Sequence, residues 1–166
     1  MGKPRVLIIG YGNPDREDDG VAWHILHRLA EKWGRVAPPL AESTGLSQLD
    51  GSPALLAVLQ LTPELAEDVA HYDHVCFVDA HTGAYDEDIR FQEIRGDFQA
   101  SPFTHHLTPE SCLFLAATLY GHVPCARVLS VRGYRFGFAR TLSAETAALA
   151  DWAVVRLMEW LQDEVM

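Results

Sequence analysis

The run Val6-Leu-Ile-Ile-Gly10 constrains the fold more than any other part of the chain. Four β-favouring aliphatic residues stand together with no polar residue between them, so a strand built from them turns apolar side chains to both faces. Such a strand belongs inside a sheet that is covered on both sides, which is how parallel sheets with helical crossovers are built. A loop from Gly10 to Gly20 follows, and then Val21, Ile25, Leu26 and Leu29 recur at helical spacing until Gly34 ends the pattern. The opening of the chain therefore reads strand, loop, helix.

The remainder repeats that alternation. Ala54 to Leu61 is a second apolar run, and Thr62-Pro63-Glu64 after it supplies an N-cap, a first-turn proline and an acid facing the helix dipole, predicting a short helix to about His71. His74 to Ala80 reads as a buried strand that ends in the carboxylate of Asp79, and Ile89 to Ile94 alternates like an edge strand. A second Thr-Pro-Glu, at 108 to 110, opens a helix to Gly121; Ala126 to Val131 is one more strand, and Ser143 caps a last helix. From Ala147 to Leu161 that helix is apolar on most faces, Trp152 and Trp160 included, which predicts deep burial or an interface. Val36 to Pro53, with tandem prolines, two glycines and four hydroxyl residues, reads as a surface loop. The expected architecture is an α/β three-layer sandwich: one domain over residues 1–166, a mostly parallel but mixed sheet of about five strands, helices on both faces, and working loops at the strands' carboxyl ends.

Composition narrows the function. At 166 residues and 48% apolar content the chain can bury a real core, and no run approaches the ~18 apolar residues of a membrane span. A formal charge of −10 repels phosphate backbones and argues against a general nucleic-acid binder, whereas a metal ion or basic peptide suits the field. Cys76, Cys112 and Cys125 form no C-x-x-C pair, and an odd count fits a reducing compartment, so a cytoplasmic location is expected. Met1 to Ile9 is too short for a signal-peptide apolar region.

Three places could carry chemistry. Gly10-x-Gly12 invites a dinucleotide reading, but Asp15 replaces the third glycine, and Asp15, Glu17, Asp18 and Asp19 would surround a pyrophosphate with like charge. The same acids read better as cation ligands, against the plainer alternative that one of Asp18 and Asp19 serves the helix amino terminus. Asp79 ends an apolar strand, where an unpaired carboxylate would be costly, so it requires a partner: a catalytic one or backbone N–H groups. His105 and His106 precede the capped helix at Thr108, and neutral imidazole is the commonest metal ligand. Of the eight histidines, His24, His27, His71, His74 and His122 read as helix-face or loop residues, and His81, two after Asp79, as an outer participant. No H-E-x-x-H or G-x-S-x-G motif occurs.

Taken together, Ile9-Gly-Tyr-Gly-Asn-Pro-Asp-Arg-Glu-Asp-Asp-Gly20, Gln60-Leu-Thr-Pro-Glu-Leu65, Phe77-Val-Asp-Ala80 and His105-His-Leu-Thr-Pro109 resemble the hydrogenase maturation endopeptidase family. Tyr134-Arg-Phe-Gly and Leu142-Ser143 extend the resemblance to nearly the whole chain, while Ala22 stands where glycine is usual. The resemblance implies an aspartic-type endopeptidase that trims a carboxyl-terminal extension from the large-subunit precursor of a nickel-iron hydrogenase after nickel insertion. It places the first metal-contacting acid on Asp19, the second on Asp79, and the histidine on His105 or His106. His105 is favoured because it sets Leu113 and Leu115 in phase with the family's helix. Nickel is then contributed by the precursor, with no tightly bound cofactor of the protein's own and no nucleic-acid or membrane partner. A non-proteolytic assembly factor that senses nickel loading, and a peptidase of the same fold for an unrelated substrate, are the alternatives.

Overall fold

The computed structural model describes residues 2–36, 46–97 and 107–165. Strand β1 (Val6–Tyr11) leads through a 3-10 turn (Glu17–Gly20) into helix α1 (Val21–Lys32). Then come β2 (Leu46–Leu49), β3 (Ala54–Val58), α2 (Leu65–Ala70), β4 (His74–His81), β5 (Ile89–Ile94), α3 (Pro109–Tyr120), β6 (Cys125–Arg132) and α4 (Ala144–Trp160), with one π-helical turn (Leu161–Val165) beyond it. The strands form one six-stranded sheet in the order β2-β3-β1-β4-β6-β5. The four inner strands are parallel, while β2 runs antiparallel to β3 and β5 antiparallel to β6 at the two edges.

The all-apolar strands are explained by what covers them. Val6 and Ile8 of β1 and Cys76 and Val78 of β4 pack with α1 and α4 on one face of the sheet. Their sequence neighbours Leu7, Ile9, Val75 and Phe77 pack with α2 and α3 on the other. Successive strand residues point to opposite faces, so a sheet with helices on both sides requires apolar residues at every position. Helix ends follow local chemistry. The Thr108 side chain accepts from the Ser111 N–H, Pro109 fills the first position of α3, and Gly121 ends it at φ 71°, a conformation that costs glycine nothing. Ser143 caps α4 by accepting from the Thr146 N–H.

Three expectations require correction. The segment read as a surface loop contains a strand: Leu46–Leu49 pairs with β3 and brings the sheet, expected at about five strands, to six. A four-residue edge strand owes its existence to that pairing partner, and its own sequence has no alternation strong enough to announce it. Helix α2 begins at Leu65 rather than at Thr62-Pro63, whose carbonyls instead accept from Leu65 and Ala66 in turn-type bonds. Of the two alternatives for helix α4, deep burial on every face does not hold, which leaves the interface: Trp160 is in the core, but Trp152 is 67% exposed and Val155 is exposed beside it. The three cysteines are free, Cys76 and Cys112 buried and Cys125 exposed.

Candidate functional site

The chain leaves β1 for β3 on one side and returns through β4 on the other, so the carboxyl ends of β1 and β4 flank the point where strand order reverses. Open α/β sheets form their ligand crevice there. Tyr11 ends β1 and Asp79 lies near the end of β4. The Tyr11 hydroxyl donates to Asp79 Oδ2 at 2.7 Å, and the Ser130 hydroxyl, from β6 on the other side, donates to Oδ1 at 2.6 Å. Each carboxylate oxygen is thus fixed by a hydroxyl from a neighbouring strand, which answers the question of how Asp79 is partnered. Burial raises the Asp79 carboxyl above the ordinary carboxylate range and the Glu110 charge adds to this, while the two hydroxyls and His81 oppose it. Burial and the neighbouring Asp79 charge push the Tyr11 phenol far up, so it keeps its proton and remains the donor.

A cavity of about 360 Å³ opens over this carboxylate, and Tyr85, Arg90, Thr108 and Glu110 contribute to its wall. His81 is buried on the same side of β4, two residues on; its Nδ1 accepts from the Gly83 N–H at 3.2 Å, which puts the ring proton on Nε2, an atom without a partner among the described residues. Its ring stands edge-on to Tyr85 with centroids 5.1 Å apart.

The acidic loop is built on the same end of the sheet. Gly12 has φ 141°, and a Cβ there would overlap the Asp19 carbonyl oxygen, so only glycine lets the loop close against the 3-10 turn. Trp23 Nε1 donates to the Gly12 carbonyl at 2.9 Å, and the Asn13 N–H donates to Asp19 Oδ2 at 2.8 Å. The three-residue segment Tyr11–Asn13 therefore supplies a donor to Asp79 at one end and to Asp19 at the other. Asp19 does not line the 360 Å³ cavity; it sits on the 3-10 turn at the same end of the sheet.

The neighbouring acids divide their work sharply. Asp18 is 0% exposed and accepts from the backbone N–H groups of Tyr134, Arg135 and Ser143 and from the hydroxyls of Ser143 and Thr146, at 2.6–2.9 Å. Burial alone would raise its carboxyl, but these hydrogen bonds outweigh it and hold the group at about 2. Asp18 ties the turn to the segment between β6 and α4, so it is a structural acid, but the expected cap on α1 is not formed: neither the 3-10 turn nor α1 has a side-chain cap. Arg16 reinforces the junction by donating to the Phe136 carbonyl at 2.7 Å and stacking on the Phe138 ring. Asp15 pairs with Arg140 at 2.6 Å. With acids occupying the turn at the start of α1, the G-x-G loop presents no anion cradle.

Of the four residues proposed from sequence to contact metal, Asp19 and Asp79 lie at the same end of the sheet, and His105 and His106 fall outside the described residues. Among the described residues no group of three or more histidines, cysteines or acids is placed to hold a metal ion. Sequence reasoning missed Tyr11 and Ser130. The signals were a phenol between two glycines and a lone hydroxyl inside the apolar run Ala126–Val131. Three of the five histidines read as helix-face or loop residues behave so: His27 and His71 bond to the carbonyls of Trp23 and Glu67, one helical turn back, and His122 to that of Tyr72; His24 is on α1 with its buried Nε2 unpartnered among the described residues, and His74 instead opens strand β4.

No protein-family model matches the sequence, and no curated protein matches it. Solved structures do match. The hydrogenase maturating endopeptidase HybD from Escherichia coli superposes with a TM-score of 0.65 at 17% identity, covering 96% of this chain and 93% of its own. The [NiFe] hydrogenase maturation protease HycI from Thermococcus kodakarensis gives 0.63 at 20% identity, over 98% and 96%. A hydrogenase 2 maturation peptidase from a Thaumarchaeota archaeon gives 0.60 at 19%, over 95% and 97%. At these identities the likeness establishes the fold.

Proposed function

We propose that this protein is an endopeptidase that removes the carboxyl-terminal extension of a nickel-loaded nickel-iron hydrogenase large-subunit precursor. The observation that carries the reading is the attachment of Asp19 and Asp79 to one three-residue segment at the sheet's switch point. These are the two acids that the motif resemblance selects, and the fold they sit on is like that of proteins named as hydrogenase maturation proteases.

In this reading the ion arrives as part of the substrate. Two carboxylates and one imidazole, from His105 or His106, offer two oxygens and one nitrogen, a set that leaves coordination positions for the precursor's own ligands. An ion held in that way polarises the scissile carbonyl or an attacking water, and that is the chemistry nickel supplies. The chain's own residues do the positioning. Tyr11 and Ser130 fix both oxygens of Asp79, so that it meets the ion in one orientation, and the Asn13 N–H leaves one oxygen of Asp19 free of that bond. Asp18 anchors the turn that carries Asp19 to α4 through buried hydrogen bonds.

The test is incubation of the purified protein with nickel-loaded precursor, followed by intact-mass measurement. Conversion to a shorter product plus a released peptide is expected. A precursor of unchanged mass under conditions where the two proteins bind would replace this reading with that of a non-proteolytic assembly factor.

A further inference from the structure

Strand β5 is an edge of the sheet, and among the described residues nothing pairs with its outer side. Its register shows what that side offers. The Arg132 N–H donates to the Asp88 carbonyl at 2.8 Å, and β5 then pairs with β6 as Arg90 opposite Ser130, Gln92 opposite Val128 and Ile94 opposite Ala126. In an antiparallel ladder alternate residues bond to the partner strand. Arg90, Gln92 and Ile94 therefore spend their backbone groups on β6, and Ile89, Phe91 and Glu93 turn their N–H and C=O groups outward. The strand has no proline and no bulge, two of the devices that blunt an edge, and its charged residues are Arg90 and Glu93.

A groove of about 720 Å³ runs over this edge. Ile89 and Phe91 line it from the α4 side of the sheet, Arg90 and Gln92 from the other, and Trp152 and Arg156 of α4 wall it. Arg90 and Gln92 also line the cavity above Asp79, so the groove and that cavity adjoin along a single strand. Trp152 is the exposed aromatic residue left without a purpose by the packing of α4.

We infer that the outer edge of β5 receives an extended segment of the precursor's carboxyl-terminal extension as an added strand, with an apolar residue of that segment against Trp152; this rests on the endopeptidase reading. Alternating outward donors and acceptors match an extended backbone, and no single side chain or small molecule meets the groups of three residues in a row. The removed extension is the part of a precursor that lies outside the product, and hence the part free to be drawn out as a strand. Geometry sets where along the substrate this contact falls. Asp79, Ser130 and Arg90 lie in one row across β4, β6 and β5. An added strand is the fourth in that row, about 14 Å from Asp79 at ordinary strand spacing. Roughly four residues of extended chain cover that distance, so the edge-bound segment starts about four residues from the scissile bond.

The test uses steady-state cleavage of nickel-loaded precursor by the full chain. Glu93→Pro removes one outward N–H and no bond to β6, and Gln92 before it is already extended, as proline requires of its predecessor. It should raise KM about 5-fold or more, the worth of one backbone hydrogen bond, while kcat holds. Glu93→Ala keeps the N–H and should retain most of the affinity, and Trp152→Ala should raise KM with no loss of thermal stability. If wild type cuts the precursor and Glu93→Pro cuts it with the same KM, the edge assignment is overturned and the endopeptidase reading stands. If wild type leaves the precursor intact, the endopeptidase reading falls, and amide exchange of Asp79→Asn mixed with precursor judges the edge alone: slowed exchange at Ile89, Phe91 and Glu93 supports it, and unchanged exchange overturns it. A wild-type dimer that Glu93→Pro dissociates would give the edge to a second copy of the chain and also overturn the assignment.

Discussion

Asp18 and Asp19 are adjacent acids of the same type, and replacing each by asparagine should give opposite results. The Asp18 carboxylate is buried, with Oδ1 accepting from the Ser143 N–H and Oδ2 from the N–H groups of Tyr134 and Arg135 and the hydroxyls of Ser143 and Thr146. An asparagine has one oxygen, and its best orientation keeps that oxygen among the four donors at Oδ2. Its NH2 group then faces the Ser143 N–H, donor against donor, in a site without solvent. The change removes one hydrogen bond to a charged group, worth about 1.5–3 kcal/mol, strands a buried donor and strips charge from the bonds that remain. A loss of about 3–5 kcal/mol follows, which for a chain of this size lowers Tm by roughly 6–20 °C. Asp19 is half-buried and accepts from the Asn13 N–H, a bond that an amide oxygen accepts equally well. Asp19→Asn should stay within about 0.5 kcal/mol of wild type, yet stop precursor cleavage. Urea unfolding followed by circular dichroism measures both variants on one scale. An Asp18→Asn midpoint equal to that of wild type, or an Asp19→Asn loss as large as that of Asp18→Asn, would refute the division of labour.

Acid should erode the stability of the fold in two pH windows. Burial, with the charges of Arg28 and His27, holds His24 at about 4 against an ordinary 6.5, so the folded state resists its protonation. Its contribution is complete above pH 6.5 and is lost as pH falls towards 4, whereas the contribution of Asp18, lowered from 3.8 to about 2, is lost between those values. Denaturation at a series of pH values should show both, and His24→Leu should flatten the upper one. Tyr11→Phe removes one of the two hydroxyls on the buried Asp79 carboxylate and should reduce kcat about 10-fold with little change in KM, while lowering stability by about 1.5–3 kcal/mol, as expected for one bond to a charged group; a KM effect alone would place Tyr11 in binding. Burial pushes the thiol of Cys112 up to about 12 and that of Cys76 higher still, while Cys125 is exposed, so a thiol reagent should modify Cys125 alone in the native protein and all three after unfolding.

The parts of this fold that were legible in the sequence are those fixed by local chemistry or by burial on two faces. Val6 to Ile9 and Val75 to Val78 announce inner strands because every position is apolar, and Thr108, Pro109, Gly121 and Ser143 announce helix ends because capping is decided within a few residues. Strand β2 was not legible, because it is defined by its pairing with β3. Nor was the exposure of Trp152, since an apolar helix face looks the same in sequence whether a neighbour covers it or not.

At the site, Asp79 stood out as a carboxylate closing an apolar run. Its clamps did not, because Tyr11 and Ser130 reach it only through the parallel register of β1 with β4 and β4 with β6. The roles of Asp18 and Asp19 could not be told apart by spacing. What separates them is the segment from Tyr134 to Thr146, more than a hundred residues away, which surrounds Asp18 with donors, while Asp19 accepts from Asn13 in its own loop.

The central claim is that Asp19 and Asp79 recognise the ion carried by the precursor, and cleavage of nickel-loaded and nickel-free precursor by the wild-type protein tests it most directly. The loaded precursor should be cut and the nickel-free form left intact, with Asp79→Asn, which places an uncharged isostere between the Tyr11 and Ser130 hydroxyls, cutting neither. Equal cleavage of loaded and nickel-free precursor by wild type would contradict the account.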